Sequence, residues 1–116
     1  MTKNKNNGYY VLTKNVEAKQ PYHFVLKAPN HETILNSENY TTRDSSLNGI
    51  KSVKVNSQDK DNFEIRRTTN NEPYFVLIAQ NNEIIGTSET YSSMQMCQHG
   101  IDAVMKYALN AIVEGV

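Results

Sequence analysis

A chain of 116 residues with 38% hydrophobic and 21% charged residues has the make-up of one small globular domain, or of two very small repeated units. Lys+Arg 12 balance Asp+Glu 12, which argues against a dedicated binder of nucleic acid or anionic membrane, because both normally carry a basic excess. The single cysteine, Cys97, excludes an internal disulfide framework and fits a reducing compartment, and no apolar run approaches the roughly 18 residues of a membrane span.

Residues 1–8 read as a disordered polar tail without the apolar core of a signal peptide, which points to a cytoplasmic protein. Tyr10 and Leu12 then alternate with Val11 and Thr13, as a short strand requires. A polar loop, Asn15 to Gln20, leads to the β-rich run Phe24 to Ala28. The tip Asn30-His31 and the return strand Thr33 to Asn36 complete a hairpin with a two-residue turn. The apolar period then changes to about 3.6: Leu47, Ile50 and Val53 form a helical stripe, and Thr41 with Asp44 has the spacing of a cap.

The same order recurs 51 residues later. Phe24-Val25-Leu26-Lys27-Ala28 returns as Phe75-Val76-Leu77-Ile78-Ala79, Ser37-Glu38-Asn39-Tyr40 as Ser88-Glu89-Thr90-Tyr91, and Gly49-Ile50 as Gly100-Ile101. Upstream, Phe63-Glu64-Ile65 answers Tyr10-Val11-Leu12, and Asn81-Asn82 forms the second tip. Ser92 with Gln95 opens a second helix whose stripe is Met94, Cys97, Ile101, Val104 and Ala108. Ala111 to Val116 is short and β-prone, a candidate final strand. Gly49 and Gly100 fall inside helices, where glycine costs about 1 kcal/mol relative to alanine. Close approach of helix and sheet explains their presence.

These repeated stretches closely resemble the YegP-like family of small uncharacterised bacterial proteins, over about Gly8 to Val104. The resemblance implies a β-β-β-α-β unit. It further implies that tandem members fold as a pseudo-dimer whose strands join into one sheet, and it carries no activity, substrate or cofactor. Where glycine is common in that family, this chain has His31 and Asn82 at the hairpin tips, and it has Met94 and Met96 where small residues commonly begin the helix. The expected architecture is α+β: two tandem β-β-β-α(-β) repeats, 9–58 and 59–116, forming one antiparallel sheet with both helices on one face. One such unit alone has little core and exposed edges, so the second copy acts as a partner in cis. A monomer is expected, with a homodimer as the alternative.

Two-residue turns would put Phe24, Leu26, Ala28, Thr33 and Leu35 on the face beneath the helices, with Phe75, Leu77, Ala79 and Ile84. The other face would carry Val25, Lys27, Ile34, Val76, Ile78 and Ile85. Scattered aliphatics there suit a solvated face, and a contiguous patch would suit a protein partner.

Cys97 and His99 do not make a zinc site, which needs four ligands, and Cys97 lies on the apolar stripe. The Ser-Glu-x-Tyr stretches (Ser37, Glu38, Tyr40; Ser88, Glu89, Tyr91) offer a carboxylate near a phenol, yet their place before the helix caps favours a structural role. No phosphate loop or catalytic triad spacing occurs. Basic residues gather around Lys51, Lys54, Lys60, Arg66 and Arg67, and Tyr9, Tyr10, Tyr22 and Tyr74 could stack on bases, as a weak nucleic-acid binder would need, but Asp59, Asp61 and Glu64 dilute the group. The sequence therefore points to a non-enzymatic protein-binding or structural module without cofactor or metal. A weak nucleic-acid binder is the alternative.

Overall fold

The computed structural model describes residues 8–116. The tail expected at 1–8 lies outside the described residues except Gly8, which is buried against the backbone of Lys27. The elements run β1 (Tyr9–Lys14), β2 (Tyr22–Lys27), β3 (Thr33–Ser37), α1 (Arg43–Asn56), then a single 3-10 turn and β4 (Phe63–Arg67). They continue with β5 (Pro73–Ile78), β6 (Ile84–Thr87), α2 (Met94–Tyr107) and β7 (Ile112–Gly115).

The seven strands of the described residues form one sheet in the order β4-β5-β6-β3-β2-β1-β7. The halves join at its centre, where β3 meets β6 with Asn36 opposite Thr87 and Ser37 opposite Gly86. Every pair is antiparallel except one: β7 returns after α2 to lie parallel to β1. The expected final strand therefore exists, and it closes the edge of the other half.

Alternation sets the faces. Tyr10, Leu12, Phe24, Leu26, Leu35, Phe75 and Leu77 are almost wholly buried beneath the helices, and they meet Ile50, Val53, Ile101 and Val104 in one core. α1 packs on β2 but also on β5 and β6, and α2 packs on β5 but also on β3. Each helix thus spans the join, so the halves share an interior rather than merely touching.

The hairpin tips differ from the expected two-residue turns. His31 N–H donates to the Ala28 carbonyl (2.8 Å) and Ala28 N–H to the Glu32 carbonyl (2.9 Å), which encloses three loop residues. Ala79, Asn82 and Glu83 repeat the arrangement, and so do Thr68, Asn71 and Glu72. In each tip the third loop residue has positive φ: 72° at His31, 65° at Asn71 and 69° at Asn82. This is the turn-plus-left-handed-residue loop in which glycine is preferred. Asn82→Gly is therefore expected to raise stability by about 0.5–1 kcal/mol, read as an increase of a few degrees in melting temperature. An unchanged or lower value would mean that the Asn82 side chain contributes more than its strained backbone costs.

The extra loop residue has a consequence for the faces. Lys27 pairs with Thr33, whereas Leu26 pairs with Leu35, so Ile34 is a bulge that restores the register. A bulge sets two residues against one and turns both toward the same side. Ile34 consequently joins the core at 8% exposure, and its counterpart Ile85 packs against the core as well. Thr33 and Ile84, expected beneath the helices, instead pair with Lys27 and Ile78 on the other face.

The helix caps fall one residue later than expected. Thr42 Oγ1 accepts from Ser45 N–H and Ser93 Oγ from Met96 N–H, at 3.0 and 3.1 Å. Tyr40 and Tyr91 are still held extended by backbone bonds to Tyr22 and Pro73, so the helices cannot begin earlier. Met94, placed on the apolar stripe by its spacing, is 40% exposed in the first turn.

Candidate functional site

Of the six residues expected on a partner face, Ile34 and Ile85 are withdrawn into the core by the bulges. Val76 does lie opposite Phe75 and Leu77, but at 2% exposure it is covered between Glu64 on β4 and Thr87 on β6. Val25, Lys27 and Ile78 remain half-buried there, too few to make a contiguous apolar patch.

The basic residues do not assemble either. Lys54 on α1 lies over the ring of Tyr10, its Nζ 5.7 Å from the ring centroid, and Lys51 is exposed on the same helix. Arg66 and Arg67 stand on β4, the edge strand five positions from β1 in the sheet, whereas Lys51 lies beside the β5–β6 tip residues Ala79, Gln80 and Asn81. Arg66 Nε donates to Glu64 Oε2 at 2.6 Å, and Arg67 donates to the Asn71 carbonyl at 3.0 Å. Adjacency in sequence becomes separation in space because the chain crosses the sheet between these pairs.

The Ser-Glu-x-Tyr stretches divide by role. Ser37 Oγ accepts from Phe24 N–H and donates to the Glu38 carbonyl, at 2.8 and 2.6 Å. Ser88 does the same with Phe75 and Glu89 at 2.9 and 2.7 Å. The rings of Tyr40 and Tyr91 stack on Phe24 and Phe75. Their hydroxyls lie against Gly49 and Gly100, where an added Cβ would stand 2.2 Å from each oxygen. Serine and tyrosine are therefore structural, as expected, and the close approach that keeps the helical glycines is made chiefly to a tyrosine. The two glutamates remain exposed.

Those glutamates line two clefts, each built from both halves. The first, about 550 Å³, lies between the β2–β3 tip and α2, and is lined by Glu32, Glu89, Tyr91, Met96, His99 and Tyr107 among others. The second, about 690 Å³, has Glu83, Glu38 and Tyr40 at the positions matching Glu32, Glu89 and Tyr91. In each, one carboxylate comes from a hairpin tip and the other from the opposite half. Among the described residues neither cleft is lined by Lys or Arg.

The clefts are not alike in chemistry. Ser45, Asn48 and Asn56 occupy the positions on α1 that correspond to Met96, His99 and Tyr107 on α2. The helix side of the first cleft is thus apolar and aromatic, with Met96, Ala103 and Tyr107, whereas α1 lines the second cleft with Ser52. Asn30 Nδ2 donates to Glu32 Oε1 (2.9 Å) and Asn36 Nδ2 to Glu89 Oε2 (2.6 Å), which fixes both acids. The Tyr91 hydroxyl is raised above the usual phenol range by burial, then by Cys97, Glu89 and Glu32. It therefore remains protonated, at a cleft that both acids line.

Sequence reasoning missed this site because Glu32 and Glu89 approach each other only through the fold. The usable signal was the glutamate repeated just after each hairpin tip, at Asn30-x-Glu32 and Asn81-x-Glu83. Cys97 is fully buried, and burial pushes its thiol up, which leaves it an inert hydrophobe. Among the described residues no three His, Cys, Asp or Glu side chains gather as a metal site, and no helix is long and apolar enough to cross a membrane.

A family model described as a domain of unknown function, DUF1508, matches this chain twice, at residues 18–64 and 69–114. The chain belongs to this family. Each matched copy runs from just before the second strand of a half into the strand that follows the helix. UPF0339 protein YegP of Yersinia pestis is 45% identical over 107 residues, covering 92% of this chain and 94% of that protein. YegP of Escherichia coli strain K12 is 41% identical over 97 residues, covering 84% and 86%. The solution structure of UPF0339 protein SO3888 from Shewanella oneidensis matches with TM-score 0.85 and 39% identity, covering 94% of this chain and 91% of that one. That of yegP from E. coli, a protein of unknown function, gives 0.86 and 38%, covering 94% and 92%. The tandem α+β architecture is thus shared with these two relatives. The function of the DUF1508 family is uncharacterised.

Proposed function

We propose that this chain is a non-enzymatic recognition module of the cytoplasm, and that the first inter-repeat cleft receives a cationic side chain of a partner protein. The observation that carries the reading is the pairing of Glu32 with Glu89 across the join, beside Tyr91 and without a lining Lys or Arg. An ammonium or guanidinium group placed between the acids would gain charge-assisted hydrogen bonds. Its aliphatic stem would run along Met96 and Tyr107, where a flexible thioether adapts to different stems. A non-enzymatic role is supported by the inert Cys97 and by the engagement of both glutamates with asparagine amides rather than with a nucleophile.

Titrating a blocked Arg-Leu-Arg tripeptide into ¹⁵N-labelled protein should shift the amides of Glu32, Glu89, Tyr91 and His99. Glu32→Gln with Glu89→Gln should weaken binding tenfold or more, since hydrogen bonds to charged groups contribute about 1.5–3 kcal/mol each. Glu38→Gln with Glu83→Gln should change it little. Equal losses in the two double variants would show diffuse electrostatic attraction and remove the cleft from consideration.

A further inference from the structure

We propose that the outer edge of β4 is a docking slot for an extended apolar segment of a partner protein, which adds to the sheet as an eighth strand parallel to β4. The molecule supplies its own template. Its second half reads β-β-β-α-β, whereas its first reads β-β-β-α and passes through the 3-10 turn into β4. β7, the strand after α2, lies parallel along the outer edge of β1. The matching position beside β4 ends the sheet among the described residues.

Burial records the difference. Tyr10 and Leu12 on β1 are 0% and 1% exposed, while Phe63 and Ile65, which face Leu77 and Phe75 as they face Leu26 and Phe24, are only half-buried. The backbone is also turned to accept a strand. Val116 N–H donates to the Leu12 carbonyl at 3.1 Å, so the outward peptide groups of β1 belong to Leu12 and, two residues earlier, Tyr10. Their counterparts on β4 are Ile65 and Phe63; the Phe63 N–H already donates to the Lys60 carbonyl of the 3-10 turn, so the groups turned to an added strand are the Phe63 carbonyl and the Ile65 N–H and carbonyl. Glu64, Arg66 and Arg67 on this five-residue strand are charges of the kind that discourage chance edge pairing, so the slot calls for a matched occupant.

The register names the match. Glu114 of β7 stands opposite Val11, and β4 has Glu64 at the Val11 position. The occupant should therefore resemble β7 with a cation in place of its glutamate. This mode is strand addition, in which main-chain bonds supply affinity and alternate side chains supply selectivity.

The test uses the full chain and the peptide Asn-Ala-Ile-Val-Lys-Gly-Val. Binding should move the amide resonances of Phe63 to Arg67 and slow hydrogen exchange at Ile65 at least tenfold. By the β7 pattern, the peptide's Lys N–H faces β4 and that of the preceding Val faces away. N-methylation at Lys should abolish binding, and N-methylation at that Val should leave it within threefold. The Glu32→Gln, Glu89→Gln variant should bind this peptide unchanged, which separates the slot from the cleft. No shifts at millimolar peptide, shifts confined to Tyr9–Lys14 through displacement of β7, or equal loss on both N-methylations would each overturn the proposal.

Discussion

Leu26→Ala and Leu77→Ala should each cost about 2–5 kcal/mol, a large part of what a domain of this size has available. The two leucines are 0% exposed and sit beneath the helices in the strands that both halves contribute to the shared core. Truncation there loses transfer free energy and leaves a cavity that a mixed helix–sheet interior closes only in part. Val25→Thr, on the other face and half-buried, should cost less than about 1 kcal/mol. The bulge adds a sharper contrast within one strand. Ile34→Ala should approach the leucine values, and Thr33→Ala should be nearly neutral, although a two-residue turn would assign them in reverse. Denaturant midpoints at constant m-value give all five numbers. Equal losses at Leu26 and Val25 would mean that the sheet faces are inverted.

The contrast also shows which features the sequence carries. The repeat at 51 residues, the order of strands and helices, and the matching of Tyr10 and Leu12 with Phe63 and Ile65 all follow from alternation and period, which are local signals. The body of the first hairpin also keeps its expected register, Leu26 against Leu35. What failed was one residue of loop length. The left-handed residues His31 and Asn82 enlarge the tips, and the bulges at Ile34 and Ile85 cancel the shift. No periodicity reports two irregularities that compensate. The cleft was illegible for another reason, because Glu32 and Glu89 belong to different copies and meet only when α2 lies across the other half's hairpin. The proximity of Lys51 and Lys54 to Arg66 and Arg67 in sequence misled in the opposite sense. Polarity reads locally, whereas the assembly of a site is a property of topology.

Gly100→Ala should destabilise the fold by about 1–3 kcal/mol, against the gain of about 1 kcal/mol that helix propensity alone would give. Its Cβ would lie 2.2 Å from the Tyr91 hydroxyl oxygen, 2.7 Å from the ring carbon bearing it and 3.0 Å from a Phe75 ring carbon. Tyr91 cannot simply withdraw, because its ring stacks on Phe75 and its N–H donates to the Pro73 carbonyl. Removing the hydroxyl eliminates the closest contact, so Tyr91→Phe should recover at least 0.5 kcal/mol of the loss in a double-mutant cycle. Gly49→Ala should repeat the result with Tyr40→Phe, since the equivalent contacts are 2.2, 2.6 and 3.2 Å. Gly100→Leu should be worse than Gly100→Ala, because the larger side chain has no path between tyrosine and helix. If Gly100→Ala raises the melting temperature, or if the cycle with Tyr91→Phe shows no coupling, the helix does not need this approach and the paired glycines have another cause.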